Sequence, residues 1–438
     1  MKREKTEQAE KTKRTGWGNL SVCLIFSVCF VFSLLTGCRT YTLDGGARNL
    51  NRPSFRGAPG HNLAGECVEG FDPSIDYFPD KVSPKHARIY SVSYHGHYKV
   101  VRLNPPRTDQ EENPVADTMV LVQCGTSAPS LRGDLAGATI IETPVRTIAA
   151  NDNIDVAFIN RLGQAERLVA IGGREVYNEQ IRRRWDEKKL ASIGFAWHEA
   201  PNLEVVLAYQ PDVLFMRRAV LTQTEAMRVA RRLGVKAAPT LARSESTYLA
   251  AAEWIKYIAL FLNEERRAEE VFSRVEEECT RIRNLAVAGT DKPRAIWVNY
   301  EGGGFWRTAR SPYDLRAHYL EDAGAINPLA DEHSLISGRL STEQLLKLAG
   351  DADYWITENH TIQGWPDKIY LQQFKAYRTG RIYHHQKRTN FEVPAYDWYE
   401  TGAERPGLVL KDLSALFHPE LFPGHTQLFF ETLKTEER

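Results

Sequence analysis

The residue types in this chain whose spacing suggests chemistry are arginine and the aromatics. Gly302-Gly-Gly304 is followed at once by Phe305, Trp306 and Arg307. Gly172-Gly-Arg174 leads to Tyr177, and Arg217-Arg218 and Lys387-Arg388 add paired cations. Aromatic rings stack on planar surfaces, and guanidinium groups grip carboxylate or catecholate oxygens in pairs. Together they suit an anionic, partly aromatic chelate. Catalytic motifs do not appear. The glycine run lacks the Gly-Lys-Ser/Thr of a P-loop, and no Gly-x-Ser-x-Gly or His-Glu-x-x-His occurs. His198-Glu199 runs into Ala-Pro, which would break the helix a zinc motif needs. His95-Gly-His97 and His384-His385 supply only part of a metal site, so no metal-ligating set is assigned.

These residues need elements to hold them. From about residue 138 short apolar runs alternate with helical stretches: Ala138–Ile141, Arg146–Ala150, Arg167–Ile171 and Asp212–Met216, then Ala295–Tyr300, Ala352–Thr357 and Arg381–Tyr383. That alternation implies βαβ units and two largely parallel sheets. Ligands of such sheets lie beyond the carboxyl ends of the strands. The rule selects the loops at 151–153, 172–177, 194–197, 217–218, 301–307, 358–365 and 387–388, and within them Tyr177, Trp197, Arg217, Trp306, Arg307 and Trp365 as candidate ligand-binding residues. Trp306, directly after the glycines, is expected to be exposed; Trp254, Trp297 and Trp355 are expected in the core.

Between the halves, residues 244–286 contain no Pro or Gly, and their apolar residues recur by threes and fours except for a six-residue step across Glu264–Arg267. A continuous helix there would span roughly 64 Å and would have to run along both halves. A weak repeat links them: Asn202-Leu-Glu204 and Ser341-Thr-Glu343 each place a capping residue two positions before a carboxylate, with Leu three and Asp eight positions further on. Both glutamates are locally favourable at a helix start. Residues 66–130 read instead as strands and turns.

The chain has 438 residues, with 56 basic and 56 acidic side chains. No basic excess exists to neutralise phosphates, so nucleic acid is not an expected partner. One apolar run, Leu20–Leu35, follows a basic stretch and ends in Leu35-Thr-Gly-Cys38, as a secretory signal with a lipobox does. Cleavage before Cys38, the expected lipidation site, would leave Cys67, Cys124 and Cys279 as the remaining thiols, enough for at most one disulfide. Cys279 falls on the apolar helix stripe, which favours Cys67–Cys124.

The lipobox, Pro201-Asn-Leu-Glu204 with Gln210-Pro-Asp212, Ala252–Glu264, Ser341-Thr-Glu343, Asp351-Ala-Asp353 and Arg405–Pro423 occur in an order that resembles the helical-backbone class of ABC-transporter substrate-binding lipoproteins, which serve ferric siderophores, haem and cobalamin. The resemblance covers about 140–425. It implies an α/β fold of two Rossmann-like lobes joined by one rigid helix, here with an extra N-terminal β-rich element. It also implies ligand held between the lobes, no catalysis, and Glu204 and Glu343 docking on arginines of a permease driven by its ATPase. The expected organisation is a signal peptide at 1–37, a tether at 38–65, an N-terminal lobe with its β-rich extension at 66–243, an interdomain helix at 244–288 and a C-terminal lobe at 289–438. The expected cargo is a ferric siderophore, with cobalamin or haem as alternatives and a surface-anchored metal-dependent enzyme as the competing class. The protein would be a monomer with no cofactor of its own, held on the periplasmic or extracellular side of a membrane by its lipid alone.

Overall fold

In the computed structural model, residues 52–104, 116–195, 200–218, 220–289, 291–309, 314–330 and 338–434 are described. The signal segment, Cys38, the first half of the tether and Trp197 lie outside them.

The N-terminal lobe is built on five parallel strands. Their spatial order is Ala237–Thr240, Val213–Arg217, Ile148–Ala150, Leu168–Ile171, Ala191–Ser192. Numbered along the chain this is 5-4-1-2-3, the doubly wound order that reverses between the first and fourth strands. Val213–Met216 and Ile148–Ala150 are wholly buried, as near-continuous apolar runs in a parallel sheet must be.

The C-terminal lobe carries parallel strands Ala295–Gly302, Tyr354–Thr357 and Ile382–His384. Antiparallel strand Phe305–Thr308 joins one side, followed by Arg339–Ser341, and Glu431–Thr432 closes the other edge. The glycine run explains the antiparallel neighbour. Gly302, Gly303 and Gly304 take φ of 92°, 60° and 80°, a succession that side chains with a Cβ resist, and the chain turns back as a hairpin instead of crossing over.

The N-terminal extension is larger than the sequence suggested. Thr139–Thr143 pairs in parallel with Asp117–Gln123, which pairs antiparallel with Tyr98–Leu103 and through it with Tyr90–Tyr94. The run at 138–141 therefore closes the extension's sheet and is not the lobe's first strand. Cys67 and Cys124 are joined, Cα to Cα 4.9 Å, and Cys279 is buried and free.

The single long helix is also corrected. Residues 244–287 form helices Tyr248–Ala252, Trp254–Leu262 and Glu265–Val287. Asn263 takes the left-handed conformation (φ 58°, ψ 34°) and the chain doubles back. As a result Lys256 reaches Glu269 at 2.9 Å and lies 4.7 Å from the centre of the Phe272 ring. Asparagine tolerates this conformation better than most residues, and neighbours hold it there. Its side-chain amide donates to the Leu63 carbonyl and Gln123 Oε1, both at 2.8 Å, while its Oδ1 accepts from Lys99 Nζ at 2.8 Å. The longest piece, 23 residues, is about 34 Å long and packs on the C-lobe helix Pro406–Phe417.

Candidate functional site

Each lobe ties the ends of its two central strands with one asparagine. Asn151, just past Ile148–Ala150, accepts the Arg217 amide through Oδ1 at 3.2 Å; Asn299 accepts the Glu358 amide in the same way at 2.7 Å. At the opposite ends of these strands Asp212 Oδ2 accepts the amides of Arg146 (2.7 Å) and Thr147 (3.1 Å), and Asp353 Oδ2 accepts that of Arg294 (2.8 Å). Asp353, not Asp351, is thus the structural counterpart of Asp212, and the two lobes share one plan.

Between the carboxyl ends of the two sheets lies a cavity of about 530 Å³. Arg243 and Ile154 of the N-lobe, Tyr248 of the linker and Arg316, Trp398 and Tyr399 of the C-lobe are among its lining residues. Arg243 grips Asp152 with two contacts of 2.9 Å and lies 4.2 Å from the centre of the Tyr399 ring. Burial alone would push the Asp152 carboxyl up; the Arg243 guanidinium overcomes this and holds it below the usual carboxylate range. Asp155, bonded to the Thr240 hydroxyl at 2.8 Å, is pushed well up by burial and by the Asp152 charge. Arg217 lines the small recess beside them. Asp152 thus sits beside the Arg243 guanidinium, with Arg217 in the adjoining recess.

On the opposite wall Arg316 contacts Asp314 (2.5 Å) and Glu358 (2.7 Å). Burial works against the Glu358 charge, but the Arg316 guanidinium keeps its carboxyl below the ordinary range. Behind the Trp398 indole lies His385, stacked at 4.2 Å and pushed down to about 4 by burial, hence neutral. The cavity has an arginine from each lobe, carboxylates at Asp314 and Glu358, and an aromatic side. Among the described residues no group of three or more His, Cys, Asp or Glu side chains could hold a metal ion.

The candidate residues separate. Arg217 reaches the edge of this cleft. Tyr177 meets the C-lobe nearby, under the Arg388 guanidinium at 5.0 Å. Trp306 is corrected: it is fully buried, 5.0 Å from both Trp355 and Trp365, and its Nε1 donates to Thr342 Oγ1 at 2.9 Å. The cause is strand alternation after the turn, which puts Phe305 and Arg307 outward and Trp306 inward. Trp365 is 9% exposed and stacked on Trp355, so it too belongs to the core. Arg307 points away from the core and pairs with Glu301, which also takes Arg339 at 2.5 Å; neither arginine is among the residues lining the cavity. Trp254, Trp297 and Trp355 are in the core as expected. Glu204 and Glu343 are both exposed, in the first turns of helices capped by Asn202 and Ser341. Both helices start at the carboxyl ends of their sheets.

Arg243, Arg316, Trp398 and Tyr399 were missed. Arg243 had a signal, since it follows the last N-lobe strand, Ala237–Thr240, where the strand-end rule applies. Trp398 and Tyr399 had none, because the turn carrying them reaches the cleft only through packing.

Two lipoproteins of Methanocaldococcus jannaschii are similar to this chain. One is 21% identical over 303 residues, covering 66% of this chain and 69% of its own length. The other is 23% identical over 345 residues, covering 74% and 82%. Among solved structures, the periplasmic haem-binding protein RhuT of Roseiflexus sp. RS-1 is 21% identical, with a TM-score of 0.49 over 63% of this chain and 99% of that one. A family model described as periplasmic binding protein matches residues 148–389, more than half of the sequence. The chain belongs to the periplasmic binding protein family, solute-binding and not catalytic components of ABC-type uptake that deliver small molecules to a permease.

Proposed function

We propose that this protein captures a ferric siderophore between its lobes and presents it to an ABC permease, working outside the cytoplasm as a lipoprotein anchored through Cys38. The observation that carries the reading is the cavity of about 530 Å³, within the range of ligand sites. Its walls bring Arg243 and Arg316 together with Tyr399 and Trp398. An anionic chelate oxygen would bind at Arg243 and Arg217, ligand donors would face Glu358 and Asp314, and the chelate's planar groups would lie on the aromatics. Glu204 and Glu343, one at each sheet's carboxyl edge, would meet arginines of the permease, whose ATPase drives release. A monomer suits such a shuttle.

Tryptophan fluorescence of the chain from residue 39 tests this. Ferric catecholate, hydroxamate and citrate complexes would be titrated beside haem, cobalamin and iron-free chelators. One ferric class should quench saturably, and Arg243→Ala or Arg316→Ala should weaken it at least tenfold, about 1.4 kcal/mol. Quenching by haem or cobalamin alone would replace the siderophore with that ligand. Silence with every compound would overturn the metal-chelate reading altogether.

A further inference from the structure

The turn that brings Trp398 and Tyr399 to the cleft continues into Glu400 and the short helix Thr401–Glu404. It is held to the C-lobe by Arg388, which pairs with Asp397 at 2.5 Å. On its far side lies a second space of about 390 Å³, walled by Val156, Ala157, Tyr177 and Ile181 of the N-lobe and by Glu400 and Glu404 of the C-lobe. Glu400 is 3% exposed and spans the lobes. Its Oε1 accepts the Tyr177 amide at 2.5 Å and its Oε2 the Asn178 amide at 2.9 Å, with Asn153 Nδ2 at 3.5 Å.

We propose that Glu400 is a latch between the lobes whose carboxyl takes up a proton from solvent as they close, so that closure depends on pH. A carboxylate moved from water into such a place loses solvation that neutral amides only partly replace. The surrounding charges do not compensate. Arg388 is committed to Asp397, and Arg182 donates to the carbonyls of Val176 (3.0 Å) and Tyr177 (3.3 Å). Glu179 lines the same space from the N-lobe, and Asp397 and Glu404 repel from the C-lobe. Arg161 and Arg405 act on Glu404. Burial leads in pushing Glu400 up to about 8 and Glu404 up to about 7.

The direction follows. With the lobes apart, Glu400 meets water and has an ordinary value near ~4.3; closed, it holds its proton to higher pH. The closed form therefore binds more protons, gains as pH falls below 8, and is lost as pH rises through it. The inference needs two lobes but no particular ligand, so it stands or falls separately from the siderophore reading. Hydrogen exchange at the Tyr177 and Asn178 amides of the ligand-free protein, corrected for the intrinsic pH dependence of exchange, tests it. Protection should fall by up to about tenfold per pH unit as pH rises from 6 towards 8 and level off above that. Glu400→Gln should flatten the slope, leaving at most the part that Glu404 contributes. Glu404→Gln removes a neighbouring like charge, lowers the Glu400 value in the closed form, and should make protection level off at lower pH with a smaller total loss. Protection independent of pH in the unaltered protein would overturn the proposal, as would an unchanged slope in Glu400→Gln or an unmoved levelling-off in Glu404→Gln.

Discussion

Trp306 donates to Thr342 and meets two other indoles at 5.0 Å, with no accessible surface left. Its replacement by alanine would empty a large part of the C-lobe core, at about 3–5 kcal/mol. Denaturant unfolding of Trp306→Ala should show that loss, while the folded fraction keeps its ligand affinity. A binding defect at full stability would return the indole to the cleft. The strand pattern from Phe305 onward was legible, and applied after the turn it would have turned Trp306 inward. Arg243 and Asp152 show the reverse case, since both lie where the strand-end rule applies but gain their role from an ion pair across 91 positions.

At the scale of elements, the linker is tied to the extension through buried charged side chains. Glu253, fully buried between two helices, accepts the amides of Lys85, His86 and Ala87 at 2.7–3.0 Å and pairs with Lys256 at 2.9 Å. Glu245 accepts those of Arg88 and Ile89 at 3.1–3.2 Å. Lys99, with no exposed surface, donates to the Leu260 carbonyl, Asn263 and Glu265. The extension thus secures the linker near both of its breaks. A buried ammonium that loses one acceptor is costly, and a left-handed alanine adds strain. Asn263→Ala should therefore destabilise the protein by about 2–4 kcal/mol. Hydrogen exchange should rise first in Trp254–Leu262 and in Tyr98–Leu103. Uniform exchange across both lobes would show that the extension does not brace the linker. The six-residue step in the apolar stripe marked this break in the sequence, but a step in periodicity does not tell a bend from a reversal.

For the whole molecule, the two lobes repeat one design: Asn151 with Arg217 against Asn299 with Glu358, Asp212 against Asp353, and Glu204 against Glu343. If the exposed glutamates dock on a permease, reversing both charges (Glu204→Lys with Glu343→Lys) should leave ligand affinity unchanged. Ligand-stimulated ATPase activity of the reconstituted transporter should then fall at least tenfold. Equal stimulation by the variant would remove docking from these positions. The family match ends at residue 389, whereas the turn at 397–404 that divides the space between the lobes lies beyond it. The extension before residue 144 likewise lies outside the match.

The sequence by itself determined the βα alternation, the helix starts capped by Asn202 and Ser341, and the pairing of Cys67 with Cys124. All rest on short-range rules: the period of a strand or helix, a cap's reach to the next amides, the burial of an apolar stripe. Only the tertiary structure decided that Asn263 reverses the chain, that Trp306 turns inward, and that Arg243, Arg316 and Tyr399 share one cavity. Glu400 reaches an amide 223 positions away. Contacts at that separation are set by the packing of whole lobes, where many small apolar terms add up, and no local pattern in the chain records their sum.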